Sequence, residues 1–547
     1  MKFIKKYKWE IIIFLIFTLS RLPGLGHDMF NTDVWKWRSR TYDFSTGVFT
    51  LDFEKTIQKY HPGVSLMWIG SASIKLFNLY HEVAKGAPPA DNLVETVFAL
   101  HTVQKIMVVL VLGVLLGFIL HPLRKMFGDK YAFIATFLIV VEPLYVALTR
   151  VIHLEGLMST FMIASFVWFY YYLQERNYKK LALSSFFGAA AFLTKTSSAF
   201  LIPFFGLVLL VNLFNTQRDS EENFGVNLKD SVKTYLLWLL PTIFFFVILW
   251  PAMLTNAKLA LETLYRGVFT IGIERDHPQL YLGNWVNDPG PFYYLVVFVY
   301  RSSLWLVAGL IGFVAFIKKL KLDKKKKDFI IYALLFALFY IIELSIPTKK
   351  LDRYIMPAIL SLVLVSSFFF EYLYDILSEK FRYGKQAFVV STLLLSLGTL
   401  LYLHPYYLSY YSPLLGGLRN GIYDIEPKWM IGQREVVAYF EDKLEEGNLE
   451  AYTPEESLDS NINTMEIENK LTIGFQEKYY TQIWPFIAEI GGRATIKDIT
   501  IHAQNSNYFV YPVYDDDSSL EDRVDIKYED TIKLRGVDLY NVYKRVY

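Results

Sequence analysis

Apolar positions along the chain gather into long runs separated by short charged strings. A helix rises about 1.5 Å per residue, so crossing roughly 30 Å of hydrocarbon takes about 20 mostly apolar residues. By that measure the pattern predicts eleven spans, near 9–24, 101–120, 131–149, 155–173, 181–195, 198–214, 234–254, 291–317, 329–347, 354–375 and 387–404. The stretch 181–214 is divided at the polar string TKTSS. Two connections are long, 25–100 and 255–290; the first contains GVSLMWIGSASIKLFNLY, which reads as an amphipathic helix lying at the membrane surface. Beyond His404 the pattern changes to a charged helix near 432–446. After it come RATIKDITIH, NYFVYPVY and TIKLRGVDLYNVYKRV, which alternate with the strand period of two. The expected architecture is a mainly α membrane protein, 1–404, followed by a small soluble α/β domain, 405–547.

Composition and charge add sidedness. With 53% apolar residues the chain is not disordered, and with no cysteine it has neither disulfides nor thiolate metal ligands. The first run follows Lys2, Lys5, Lys6 and Lys8 and meets Arg21-Leu22-Pro23 rather than a small-residue cleavage site, so it reads as an uncleaved span with the N-terminus inside. The inner loops then carry 23 Lys and Arg, and the outer connections after the first long loop carry eight. That asymmetry satisfies the positive-inside rule and places 405–547 outside the cytoplasmic membrane. This last part holds 14 Lys and Arg against 25 Asp and Glu, a balance of −11, while the rest of the chain stands at +13.

Phosphate-cradling glycine loops, HExxH and GxSxG are all missing. What remains is charge at the outer helix ends, where ionisable residues are costly and point to function. Asp33, in NTDVWKWRSRTYDF, is either a solvated loop acid, a helix N-cap or a reactive carboxylate. Glu155, in TRVIHLEGLMSTF with Arg150 and His153, either anchors a helix end by pairing with Arg150 or joins the site. Lys349, Lys350 and Arg353, in SIPTKKLDRYIMPA, break the charge rule that the other loops obey, which points to anion binding. Lys195 either snorkels to the interface or reaches the same anion. His277 and Tyr281, in RDHPQLYLGNW, are candidate substrate contacts, and Glu142 and Glu343 are acids inside apolar runs without an assigned role.

These elements in this order resemble the GT-C glycosyltransferases, in particular the protein O-mannosyltransferase and aminoarabinose-transferase branch. The carriers are an acid after the first span (Asp33), His61-Pro62-Gly63 in the first loop, the string from Arg150 to Glu155, and the step Arg353-Tyr354. YYSPLLGG after the last span and TIKLRGVDLYNVY near the end are similar to the tail of prokaryotic members. The chain departs from the pattern with Glu155 where many members have Asp, with His-Pro-Gly for His-Pro-Pro, and with PKWMIGQREVV in the tail. The resemblance implies a sugar on a polyprenyl phosphate as donor, a protein, lipid or glycan hydroxyl as acceptor, and inversion at the anomeric carbon.

Under that resemblance Asp33 and Glu155 are the catalytic candidates. Lys349, Lys350, Arg353, Tyr354, Lys195 and Arg150 are candidates for the donor phosphate, and His61, His153, His277 and Tyr281 for substrate contact. No cofactor is expected, although Asp33 and Glu155 offer the oxygen ligands that a divalent metal favours. No nucleic-acid partner is expected either. The rival reading is a multi-pass transporter or flippase of a lipid-linked or anionic substrate, which should show interrupted helices in paired halves. No such symmetry is visible.

Overall fold

The computed structural model describes residues 2–90, 93–219, 224–271, 278–447, 449–453, 469–496, 506–515 and 525–546. Among the described residues, seven helices are long and apolar enough to cross a membrane: Val94–Phe127, Leu154–Glu175, Thr196–Gln217, Phe224–Leu249, Lys324–Ser345, Asp352–Lys380 and Gly384–Leu403. Two bent pairs bring the total to nine if each is one span. The expected spans 9–24 and 181–195 are the shorter helices Lys8–Arg21 and Tyr178–Thr194, of 14 and 17 residues. Leu154–Glu175 lies at the centre of the bundle, with almost every side chain through Tyr172 buried.

Both bent pairs have local causes. Asp129–Val141 and Pro143–Thr149 meet at 67°, because Pro143 has no N–H to continue the ladder and drives Glu142 into an extended conformation. Tyr293–Arg301 and Leu304–Phe316 meet at 109°, so the expected span 291–317 bends in a sharp elbow at Ser302-Ser303. The two breaks join. Glu142 accepts hydrogen bonds from the Ser303 backbone N–H at 3.0 Å and from its hydroxyl. The acid that the apolar pattern left without a role is therefore a buried cap on the opposing elbow.

The surface-helix segment of the first loop folds as Val64–Lys85, entered through Gly63 in the left-handed region at φ 60°. After the last long helix, the chain forms a five-stranded sheet from β3 (Thr472–Phe475), β4 (Arg493–Ile496), β5 (Tyr508–Pro512), β6 (Ile526–Leu534) and β7 (Val537–Arg545), in the order β4-β3-β5-β7-β6. β3 runs parallel to β4 and β5, while β7 is antiparallel to β5 and β6. A separate two-stranded ribbon, β1 (Gln279–Tyr281) with β2 (Asn284–Val286), lies in the second long connection. The helix Glu477–Glu489 links β3 to β4 and seats the sheet on the bundle. Phe486 meets the Phe30 and Phe98 rings edge-on at 5.6 and 5.1 Å, and the Trp35 indole donates to the Thr481 carbonyl at 2.5 Å.

Candidate active site

Where the sheet meets the bundle, a cavity of about 360 Å³ is lined by Asp33, Lys36, Trp37, Arg40, Tyr60, His61, His153, Glu155, Lys195, Lys349, Arg353 and Tyr354. Lys428, Trp429 and Lys478 close it from the C-terminal side. Asp33 occupies the N-cap position of Val34–Phe49, yet its carboxylate makes no capping hydrogen bond. Instead Asn31 accepts from the Asp33 N–H at 2.9 Å and donates to the Ile152 carbonyl at 3.2 Å, pinning the two loops together and turning the carboxylate into the cavity. Gly63 shapes the adjoining wall. A Cβ there would sit 2.1 Å from the Trp37 ring, and only glycine adopts its φ without strain.

The charges form a chain across the floor. His153 contacts Asp33 through Nε2 at 3.2 Å and Glu155 through Nδ1. Glu155 in turn holds the Lys195 ammonium at 2.7 Å and lies 3.7 Å from the Arg353 guanidinium. Lys195 sits over the Tyr354 ring at 3.6 Å, and Arg353 over Trp429 at 4.8 Å. The two carboxylates differ in access: the Asp33 side chain is 28% exposed and that of Glu155 1%. Glu155 is thus the buried hub that pairs with two cations and a histidine, while the Asp33 carboxylate is open to the cavity.

Burial works against charge on both Asp33 and His153, and their pairing outweighs it. The His153 hydrogen bond, with the His153 and Arg353 charges, holds the Asp33 carboxyl well below the usual range. For His153, the Glu155 charge and the bond to Asp33 overcome the desolvation that would lower it, and raise it. His61 behaves oppositely. Burial and the neighbouring Lys195 push it down to about 3, leaving a neutral ring that faces the Thr196 hydroxyl at 3.3 Å.

Eight sequence candidates therefore converge: Asp33, Glu155, Lys195, Lys349, Arg353, Tyr354, His61 and His153. Arg150 does not. It forms no pair with Glu155 and does not line the cavity. Its guanidinium is buried against Asp28 at 2.9 Å and donates to the Arg21 and Pro23 carbonyls, so it knits helix ends together. Lys350 also lies outside the cavity, its ammonium on Asp288 at 2.7 Å and its N–H on the Gln279 side chain at 2.8 Å. Tyr281 sits on β1, its ring 5.5 Å from that of Tyr293. His277 lies outside the described residues. Among the described residues, no three His, Cys, Asp or Glu side chains are arranged to hold a metal ion.

The sequence reading missed Lys36, Arg40, Lys428, Trp429 and Lys478. Lys36, Trp37 and Arg40 follow Asp33 at helical spacing and so share its face, a legible signal. Lys478 has no local signal, because only the docking of the sheet brings it to the cavity.

Residues 92–222 match a family model described as dolichyl-phosphate-mannose-protein mannosyltransferase. No curated protein matches the sequence. Among solved structures, the chain is similar to ArnT from Cupriavidus metallidurans bound to undecaprenyl phosphate, at 12% identity and a TM-score of 0.44, over 98% of this chain and 97% of that one. It is also similar to the oligosaccharyltransferase AglB from Archaeoglobus fulgidus in complex with an inhibitory peptide and a dolichol-phosphate, at 11% identity and a TM-score of 0.43, over 93% and 70%. A many-helix membrane protein with a segment that matches the mannosyltransferase family model falls in the class of membrane glycosyltransferases.

Proposed function

We propose that the protein, a glycosyltransferase of the GT-C type, transfers a sugar from a polyprenyl-phosphate donor to a hydroxyl of a protein, lipid or glycan on the outer face of the cytoplasmic membrane. The observation that carries this reading is one cavity with a single accessible carboxylate, Asp33, facing Lys195, Lys349 and Arg353. The family description supports the donor class, and the basic inner loops support the sidedness.

The acceptor oxygen attacks the anomeric carbon as the bond from that carbon to the phosphate oxygen breaks. The hydroxyl proton passes to Asp33, and the departing phosphate keeps the electron pair. Asp33 is ionised throughout the neutral range, so it is always ready to accept, although its depressed pKa makes it a weak base. Proton transfer therefore completes late, after the hydroxyl oxygen has begun to bond. Positioned general bases contribute typically about 10²–10⁴-fold. Fixed cations stabilise the leaving phosphate in place of a general acid, and Arg353 adds a planar grip for two phosphate oxygens. A single displacement of this kind inverts the anomeric centre. The scheme invokes no divalent metal, and His153 and Lys195 pair with the two Glu155 oxygens.

The test is donor titration of purified variants, with product read by mass spectrometry. Asp33→Asn should lower turnover by at least about 10²-fold with little change in donor affinity. Arg353→Ala should raise the donor KM and slow turnover together. An Asp33→Asn enzyme of normal turnover, or wild-type protein that moves lipid-linked sugar without forming a glycosidic bond, would refute the proposal.

A further inference from the structure

A second cavity, about 780 Å³, shares no lining residue with the active site. Its volume falls within the roughly 300–1,000 Å³ of ligand sites. One wall is the start of the Leu304–Phe316 helix, at Leu304, Trp305 and Ala308. The other is a single stripe of Gly384–Leu403, formed by Leu395, Thr399 and Tyr402 at helical spacing. Leu395 is 69% exposed and Tyr402 65%, and both belong to a membrane-spanning helix, so the slot opens sideways into lipid. Gly398 widens it, with no atom within 4 Å of where a Cβ would stand.

The end nearest the sheet carries two cations, Arg419 and Arg535. Arg535 and Gly536 form the tip of the β6–β7 hairpin, at φ 51° and 77°, and this tight turn aims the Arg535 side chain at the bundle. One guanidinium nitrogen donates to the Ser409 hydroxyl and the other to the Leu403 carbonyl, each at 2.7 Å, and the group lies 5.0 Å from the Tyr402 ring. These bonds use two of its five N–H groups and fix its orientation at the slot. Among the described residues neither arginine has a carboxylate within 4 Å.

We infer that this slot binds an anionic phospholipid of the surrounding membrane, with an acyl chain along the Gly384–Leu403 stripe and the phosphate at Arg419 and Arg535. The apolar walls call for a chain, and the arginine pair at one end calls for a phosphate. The occupant is a membrane lipid rather than the sugar donor, because Arg353 and Lys349, the cations proposed for the donor phosphate, line the other cavity. Bound there, the lipid fills the gap between Gly384–Leu403 and Leu304–Phe316 and steadies the segment that leads into the sheet.

The test is native mass spectrometry of the purified full chain offered phosphatidylglycerol and phosphatidylcholine with matched acyl chains. Wild type should retain phosphatidylglycerol preferentially. Each arginine removed should cut that preference about five-fold, in Arg419→Gln alone and further in Arg419→Gln/Arg535→Gln. Gly398→Leu, which fills the slot, should lower retention of both lipids. Arg419 is exposed at the end of the slot, so its single variant reports even if the double variant misfolds. Equal retention of the two lipids, a preference that survives Arg419→Gln, or displacement of the lipid by equimolar polyprenyl phosphate would each overturn the inference.

Discussion

Asp28 shows how a charge can be indispensable without touching the chemistry. It accepts from Lys105 at 2.6 Å and from Arg150 at 2.9 Å, and all three side chains are at most 2% exposed. Removing the anion leaves two buried cations unpaired, a change that costs about 3–5 kcal/mol. Asp28→Asn should therefore unfold at lower temperature or lower denaturant than wild type, by far more than Lys36→Ala at the exposed cavity rim. Equal stability of the two variants in a thermal melt would show that the buried cluster is not structural. The pair of arginine strings in the sequence illustrates what spacing reveals. Arg353 and Arg150 both looked like anion ligands, and only the fold separates them: Arg150 meets Asp28 across 122 residues, a partner that no local pattern could assign to it. Asp33 was singled out by the resemblance and not by spacing, since Asp28 follows the same apolar run and is structural.

At the scale of elements, the helix Val64–Lys85 carries a glycine in the left-handed region at each end, Gly63 at φ 60° and Gly86 at φ 69°. Their surroundings differ. A Cβ on Gly86 meets nothing within 4 Å, whereas one on Gly63 strikes Trp37. Gly86→Ala should show backbone strain alone, about 1 kcal/mol. Gly63→Ala should add steric overlap for a total on the order of 3 kcal/mol, and should raise the donor KM because Trp37 lines the cavity. Matching losses in the two variants, measured by chemical denaturation, would contradict this account. Helices were the most readable elements: the eleven apolar runs fall on helices, although those at 9–24 and 181–195 are only 14 and 17 residues long and those at 131–149 and 291–317 are each broken by a bend. The elbow at Ser302-Ser303 was not readable, because an apolar run looks the same whether the chain bends within it or not. The strand character of β6 and β7 was legible in the alternation of TIKLRGVDLYNVYKRV, but their pairing as a hairpin was not predicted.

For the molecule as a whole, the charge asymmetry makes a sidedness prediction that suits a protein without cysteine. Impermeant maleimide added to intact cells should label Glu441→Cys, on the helix Gln433–Glu445, and leave Glu379→Cys, at the far end of Met356–Lys380, unlabelled until the cells are opened. The reverse pattern would invert the molecule. The sequence could announce a sheet after His404, and could not announce that this sheet closes the candidate cavity, because the docking depends on Trp35, Phe30 and Phe98 meeting residues several hundred positions away.

That closure depends on order of synthesis. Trp429 forms one wall of the cavity, and the residues after it are held by groups further along the chain: the Met430 N–H by the Gln482 side chain at 2.8 Å, and the Ile431 carbonyl by the Tyr540 hydroxyl at 2.8 Å. Asp33 leaves the ribosome long before any of these. A nascent chain with its first helices already inserted thus holds a carboxylate and cations facing a cavity with one side missing. The cavity therefore closes only once the tail has been made and has folded back onto the bundle, and a chain still in synthesis leaves it open on that side.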